Sequence, residues 1–491
     1  MTSETSIPTL FQVRQLIQDN GLEGEEETSL SVLLGTFMGG FIIMYGDSSA
    51  GKDETANAVL ACYPNEGAGE VFTVPNSSSP TVLFEKAETA NAASIYVYPD
   101  STNLPEHIEG LIKAHAEGEP FTHEWTEVAG GRHLEGRSLL PPDCIIYPWA
   151  RNNDSFDIND HAEYRNRALI LEVDGSMEQT ERVNTRQALE KSGRYIRKTT
   201  YEEAAEIREH IGTIRPVVGR FGRKDSMGEI LNPCIEAIDR MKPLPQHFPE
   251  ARRDFPRLYK FIDAVTLYHH PDRMQTVDKN GNPVLLNAPA DCWYGMKVFG
   301  EKMVLSALNL TDRDMILLQY LRDNSEEAFT VNELQQALRE SGENVSDRDV
   351  KKSLKSMKHK GYANVQKGDS GLNEWSAGPF AARAEHKSHF DWQEIVDDAE
   401  VVVRDILNEE DAEEYVARFC RGDGLLVTHP FTGEVLNLVE QGSDEFEETL
   451  ADAESDMADV FDEPVYAGAS TESNDENSGL SGFLGSSGAG E

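Results

Sequence analysis

The stretch that decides the fold is FIIMYGDSSAGKDET, residues 41–55. Its first five residues are apolar or aromatic, as in a buried strand, and a glycine-serine loop follows that ends in Gly51 and Lys52. The segment matches the phosphate-binding pattern G-x-x-x-x-G-K-[ST] except at the last position, where Asp53 replaces the magnesium-binding hydroxyl. We predict a strand, a phosphate loop at 46–53 and then a helix.

Loops of this kind hold phosphates with backbone N–H groups at a helix N-terminus, while the lysine ammonium neutralises phosphate charge. A carboxylate at position 53 can bind Mg²⁺, but it adds negative charge beside the phosphates. The alternative is a plain glycine-rich turn. We expect ATP and Mg²⁺ as cofactors, with efficient hydrolysis left open, and the predicted binding residues are Gly46, Asp47, Ser48, Ser49, Ala50, Gly51, Lys52, Asp53, Glu54 and Thr55.

The composition excludes several classes of protein. No apolar run approaches the roughly 20 residues that span a membrane, and the first residues lack the pattern of a secretory signal, so we expect a cytoplasmic protein. The five cysteines lie far apart without a C-x-x-C pair, which indicates buried thiols rather than zinc ligands or a disulfide framework.

The net charge of −42 is spread along the chain. Such a field repels nucleic acid at long range, so binding of DNA requires a locally basic surface or strong screening by salt. Dispersed acidity is also typical of proteins from salt-in halophiles, where the Debye length of about 3 Å at 1 M salt removes that repulsion. We therefore expect a haloarchaeal origin, which carries no information about activity.

Changes of pattern divide the chain into six segments. In the second segment short β-rich runs alternate with helical stretches, which predicts a three-layer parallel α/β sheet of the P-loop type. The predicted segments are an N-terminal helix and acidic loop (1–34), the P-loop ATPase core (35–215), a helical lid (216–308), an α+β winged helix (309–378), two helices with a hairpin (379–441), and a disordered acidic tail (442–491).

A second nucleotide-binding element follows the β-rich run SIYVY. Asp100 comes shortly after this run, where an acid would hold the metal, and we predict that Asp53 and Asp100 are the metal ligands. Ser101 stands where a glutamate that polarises the attacking water is expected. The alternative is an ordinary acidic residue at the end of a strand.

This order of elements resembles an AAA+ ATPase, and within that class the helicase-like ATPases of archaeal and phage mobile elements, which are related in layout to minichromosome maintenance helicases. The likeness covers roughly residues 35–375, and only the P-loop is specific as a motif. The other segments that carry it are NSSSPTVLFEKAE, LPEHIEGLIKAHAEGE, DCIIYPWARNN, HAEYRNRALILEVDGSMEQTERV and ARRDFPRLYKFIDAVTLYHHPDRM.

The resemblance implies roles for three pairs of polar residues. One asparagine would orient the attacking water, one arginine would reach the nucleotide of a neighbouring subunit, and one arginine would contact phosphate from the lid. The arginine finger implies a homo-oligomeric ring, commonly a hexamer. Against each role stands an ordinary surface cation or loop-capping asparagine, and the pairs are Asn152 or Asn153, Arg165 or Arg167, and Arg252 or Arg253.

The third helix of the predicted winged helix is the clearest basic region in this acidic chain. Its lysines at 351, 355 and 358 share one face, where they could meet phosphates. Base readout favours Arg, Asn or Gln, so we expect weak sequence specificity. A winged helix used for protein contacts is the alternative, and the predicted DNA-binding residues are Lys351, Lys352, Lys355, Lys358, Lys360 and Lys367.

These features together predict an ATP-binding AAA+ helicase-like ATPase that acts on DNA in the replication of a plasmid, virus or integrated element, with a primase or other replication partner. The alternative is a catalytically degenerate, nucleotide-gated initiator or transcriptional regulator. A third reading, a P-loop kinase or transferase, fits the winged helix and arginine finger less well.

Overall fold

The computed structural model describes residues 7–47, 50–64, 71–75, 80–98, 106–127, 133–150, 164, 167–222, 226–245, 251–308, 310–340, 345–368, 371–381, 389–440 and 444–445. The chain forms one compact unit over Met1–Glu445 and a second over Phe446–Glu491. All of the second unit, and with it most of the predicted acidic tail, lies outside the described residues.

Five parallel strands form the central sheet of the first unit, in the order β2-β3-β4-β1-β5. Every residue of β1 is buried, because a parallel sheet is covered by helices on both faces. The predicted parallel α/β sheet is therefore confirmed. The strands are β1 (Phe41–Gly46), β2 (Val71–Thr73), β3 (Ile95–Val97), β4 (Cys144–Ala150) and β5 (Ala168–Glu172).

Helices and one antiparallel hairpin surround this sheet. The stretch predicted as an acidic loop before β1 contains a helix, Glu26–Gly35, because its leucines and valine are fully buried and only its first turn is acidic. The other helices of this region are Leu10–Asp19, Lys52–Leu60, Pro80–Glu85, Ala87–Ala92, Glu106–Ala116 and Met177–Lys191, and the hairpin pairs Phe121–Glu127 with His133–Leu139.

The next region is mostly helical, but it also holds a small sheet. Its first helix, Tyr201–Phe221, begins at a Thr200 capping box and crosses the boundary predicted at 215. The helix Ala251–Tyr268 buries an apolar face against Pro289–Leu308. The remaining elements are the helix Ile235–Arg240 and the strands Glu229–Leu231, Gln275–Val277 and Pro283–Leu286.

Three helices and a three-stranded antiparallel sheet then share one core. Thr311 and Ser346 cap the first and third helices through capping boxes, and Gly361, with a φ of 80°, follows the third. The elements are Asp312–Asp323, Phe329–Thr330, Val331–Glu340, Asp347–His359, Ala363–Lys367 and Asn373–Ala377.

The last described region contains two helices and a hairpin, as the sequence predicts. These are Trp392–Ile406, Glu409–Phe419 and the pair Leu426–Thr428 with Val435–Asn437, beside a short pair of His389–Phe390 with Asp444–Glu445. All five cysteines are buried thiols. Within the described part of the chain, no helix is both long enough and apolar enough to cross a membrane.

Candidate functional site

The predicted phosphate loop lies at the carboxyl end of β1, which pairs with β4 on one side and with β5 on the other. Gly46 ends β1, and the Ala50 backbone N–H donates to the Asp47 carbonyl oxygen at 3.2 Å, which turns the chain. Gly51 adopts a φ of 90° and starts the helix Lys52–Leu60. This left-handed conformation favours glycine, so the motif glycine at 51 has a conformational reason. Ser48 and Ser49 lie outside the described residues.

The Lys52 side chain points back into this loop and is only 3% exposed. Its ammonium donates to the carbonyl oxygens of Asp47 at 2.7 Å and Gly46 at 3.4 Å. A buried charge needs such polar partners. The ammonium therefore lies between the end of β1 and the N-terminus of the following helix, where a phosphate would be held by the loop.

The three residues after Lys52 differ in their surroundings. Asp53 and Glu54 are exposed in the first helical turn, where the positive end of the helix dipole favours negative charge. Thr55 is 0% exposed, and its hydroxyl donates to the Gly51 carbonyl oxygen at 3.0 Å. The Thr55 hydroxyl is thus engaged with its own helix, and Asp53 has the more open position.

Two other segments flank the loop. A Cβ atom at Gly46 would meet the Val173 carbonyl oxygen at 3.2 Å, so the chain after β5 passes close to the loop. Glu25 accepts a hydrogen bond from the Asp174 backbone N–H, and burial raises the pKa of Glu25 to about 7. Glu25 and Asp174 were not predicted as site residues, because nothing in their local sequence pattern relates two positions so far apart.

Strand order places β4 between β1 and β3. Gly46 pairs in register with Ala150, so the chain leaves β4 level with the phosphate loop. Several residues with predicted roles lie outside the described residues. They are Asp100 and Ser101 after β3, Asn152 and Asn153 after β4, and Arg165 before β5.

Arg167 lies at the amino-terminal end of the strands, whereas the phosphate loop lies at their carboxyl end. It directly precedes β5 and pairs with Glu117. The register of β5 on β1 aligns Ala168 with Phe41. Arg167 is thus six positions from the level of Gly46, which corresponds to about 20 Å at about 3.3 Å per residue. An arginine side chain is much shorter than this distance, so Arg167 cannot reach a phosphate on the loop of its own chain.

The lid arginines surround a buried carboxylate. Arg252 is exposed, whereas Arg253 lies 3.3 Å from Asp254, which is fully buried and also pairs with Arg257 at 3.1 Å. Arg257 and Arg167 line a cavity of about 690 Å³ at the amino edge of the sheet. The side of the lid that carries Arg257 therefore faces the amino-terminal ends of the strands, away from the phosphate loop.

The predicted DNA-binding lysines lie on the helix Asp347–His359 and the hairpin after it. Lys355 and Lys358 are exposed, and Lys351 is exposed and pairs with Asp347. Lys367 is exposed and donates to the Gly371 carbonyl oxygen at 3.1 Å. The remaining two are Lys352, which is exposed, and Lys360, which is half-buried.

A buried acidic network lies in the lid. Asp291 is fully buried and accepts from Arg273 at 2.6 Å, His269 at 3.1 Å and Thr266 at 2.9 Å. Although burial opposes ionisation, the Arg273 guanidinium holds the pKa of Asp291 well below its usual range. Among the described residues, no group of three or more His, Cys, Asp or Glu side chains is arranged to hold a metal ion.

Comparison with known proteins does not assign this chain to a family. No protein-family model and no curated protein match this chain. A candidate ATPase from Cytophaga hutchinsonii matches at 12% identity and a TM-score of 0.35, over 69% of this chain and 96% of that one. Drosophila ORC bound to DNA matches at 9% identity and a TM-score of 0.21, over 78% and 94%. Likenesses at these TM-scores carry no argument about this protein.

Proposed function

We propose that the protein is an ATP-binding, AAA+-like ATPase that acts on DNA. One observation carries the nucleotide proposal: the buried Lys52 ammonium lies inside a turn between the buried parallel strand β1 and a helix N-terminus. A positioned ammonium and the backbone N–H groups of a helix N-terminus together suit the phosphates of a nucleotide. The cytoplasmic location, the haloarchaeal origin and the setting in replication of a plasmid, virus or integrated element remain predictions from the sequence.

The residues of the loop would divide the work. Backbone N–H groups of residues 46–53 would donate to phosphate oxygens, and Lys52 would exchange its two carbonyl partners for them. Asp53, exposed one position after Lys52, is the proposed first carboxylate ligand of Mg²⁺, with Asp100 as the proposed second ligand. Bound Mg²⁺ would offset the negative charge of the phosphates and of Asp53.

Hydrolysis would require a second copy of the chain. Arg167 lies about 20 Å from the level of its own phosphate loop along the strands, so it would serve the nucleotide of a neighbouring subunit. The cavity shared by Arg167 and Arg257 suggests that the lid contributes to the same face. We therefore propose a homo-oligomeric ring, with a hexamer as the first size to test.

The segment 309–378 would contact DNA as a winged helix. Its third helix presents exposed lysines, and its hairpin presents Lys367 in the position of a wing. Lysine heads bind phosphates as point charges, so the binding would depend on salt and little on sequence. We also propose that a primase or other replication partner acts together with this protein.

A degenerate, nucleotide-gated initiator is the second candidate. The exposed Asp53 favours it, because a carboxylate replaces the hydroxyl that ligates Mg²⁺ in the phosphate-loop motif. Such a protein would bind ATP and a DNA site without turnover.

The deciding experiment measures ATP affinity, ATP turnover with and without DNA, and strand displacement for the wild type and Lys52→Ala. We expect DNA-stimulated turnover that Lys52→Ala abolishes. Lys86→Ala is the control, because Lys86 is an exposed lysine elsewhere in the segment 35–215. ATP binding without turnover in the wild type would favour the initiator. Equal ATP affinity in the wild type and Lys52→Ala would reject the nucleotide site.

A further inference from the structure

A second basic segment connects the helix Met177–Lys191 with the helix Tyr201–Phe221. Its sequence is KSGRYIRKTTY, with four cations and no acid, in a chain with 87 acidic and 45 basic residues. All four cations are exposed, and they are Lys191, Arg194, Arg197 and Lys198. The proposed function makes no use of this segment, which we call the basic connector.

The basic connector is held in one conformation by a buried carboxylate. Asp19, whose side chain is 0% exposed, accepts from the Tyr195 hydroxyl at 2.9 Å, the Thr199 hydroxyl at 2.7 Å and the backbone N–H groups of Lys198 and Thr199. Burial alone would raise the pKa of Asp19, but these hydrogen bonds outweigh it and lower the pKa below its ordinary value. The contacts to Asp19 therefore anchor the backbone from which the exposed side chains extend.

Two large side chains of the basic connector project into solvent. Ile196 is 84% exposed and Tyr201 is 79% exposed. The Arg197 guanidinium lies 5.2 Å from the centre of the Tyr201 ring, a cation–π distance. An exposed ring with a guanidinium beside it, next to further cations, is the combination that single-stranded nucleic acids bind.

We propose that the basic connector binds single-stranded nucleic acid, with Lys191 and Arg194 on phosphates and a base stacked on Tyr201. The bases of a duplex are stacked on one another, so an intact duplex would leave the Tyr201 ring unused. An acidic protein segment could pair with the cations but would offer the ring no flat partner. This site is separate from the proposed winged helix and does not require ATP.

The test is fluorescence anisotropy without nucleotide, using labelled oligo-dT, oligo-rU and a DNA duplex of equal length. We expect tighter binding of the single strands than of the duplex in the Lys355→Ala, Lys358→Ala background, where the proposed duplex contacts of the winged helix are removed. Tyr201→Ala should weaken single-strand binding about 5- to 150-fold, since stacking of one base is worth about 1–3 kcal/mol. Tyr201→Phe keeps a ring and should bind within about twofold of the wild type.

Charge and location are tested by two double variants. Lys191→Ala with Arg194→Ala should weaken single-strand binding and flatten its dependence on log salt by about 1.4, at about 0.7 per lost phosphate contact. Lys355→Ala with Lys358→Ala should leave the Tyr201→Ala effect unchanged. Single-strand affinity that is the same in the wild type and Tyr201→Ala would overturn the proposal. So would connector variants that change only self-association in sedimentation.

Discussion

The Lys52 ammonium donates a hydrogen bond of 2.7 Å to the carbonyl oxygen of Asp47, five residues before it. This contact holds the cation within the curve of its own loop. A positioned donor loses less conformational entropy when it binds than a freely rotating one. The feature of the loop that departs from the motif is therefore the next residue, Asp53, and not the lysine.

Asp53→Thr should raise ATP turnover in the presence of Mg²⁺. The change removes a negative charge beside the phosphates and restores a hydroxyl at the motif position. It should also cost about 0.3–1 kcal/mol of stability, because an acid in the first turn favours the helix. Turnover assays and thermal unfolding check both effects. Glu88→Thr makes the same charge change in the first turn of the helix Ala87–Ala92 and should leave turnover unchanged; lower turnover in Asp53→Thr would show that the carboxylate itself serves catalysis.

Thr55→Val should reduce stability without changing the dependence of ATP binding on Mg²⁺. Thr55 is fully buried and its hydroxyl donates to the Gly51 carbonyl oxygen. Loss of that hydrogen bond should cost about 1 kcal/mol in urea unfolding, and Thr55→Ser should retain most of it. A loss of Mg²⁺ dependence in Thr55→Val would mean that this hydroxyl turns to the metal when nucleotide binds.

Asp291→Ala should destabilise the lid strongly. The Arg273 guanidinium, paired with Asp291 at 2.6 Å and only 10% exposed, would be left buried without this carboxylate. Removal of one partner of a buried ion pair costs about 3–5 kcal/mol. Urea unfolding measures the loss. A cost below about 1 kcal/mol would show that water or another acid reaches Arg273.

Asp263, a buried acid near Asp291, should make the protein less stable as the pH rises. Burial, aided by the nearby Asp291 charge, raises the pKa of Asp263 from 3.8 to about 7. The folded state then holds a proton that the unfolded state has lost, so stability falls as pH rises from about 4 to about 7. Asp263→Asn should flatten that slope in urea unfolding at stepped pH, with Glu25→Gln as a second site of the same sign. An unchanged slope in both variants would contradict these pKa shifts.

The sequence predicts the central strands better than their neighbours. β1 and β4 are continuous apolar runs of six and seven residues, long enough to be recognised as buried parallel strands. β2 has only three residues, too few to show a period. The hairpin Phe121–Glu127 and His133–Leu139 carries mostly polar letters, and cross-strand pairing defines it. Short or polar strands depend on partners that local pattern does not reveal.

The candidate site divides in the same way. The motif identifies Lys52 and Gly51, because loop geometry fixes which residue types fit there. The contact of Glu25 with Asp174 joins positions 149 residues apart and depends on the tertiary fold. The distance of Arg167 from its own phosphate loop follows from strand register, which the sequence does not state. Local geometry was thus predictable, and long-range placement was not.

Lys355→Ala combined with Lys358→Ala should weaken duplex DNA binding and flatten its dependence on salt. Both lysines are exposed on one face of the helix Asp347–His359. Each lost phosphate contact should lower the slope of log affinity against log salt by about 0.9. Titrations of several unrelated duplexes from low to high salt measure this, and the loss should be uniform among them. Lys86→Ala, an exposed lysine in the core, is the control. A loss confined to one duplex sequence would indicate base readout by this helix, and an unchanged slope would assign the winged-helix segment to protein contacts.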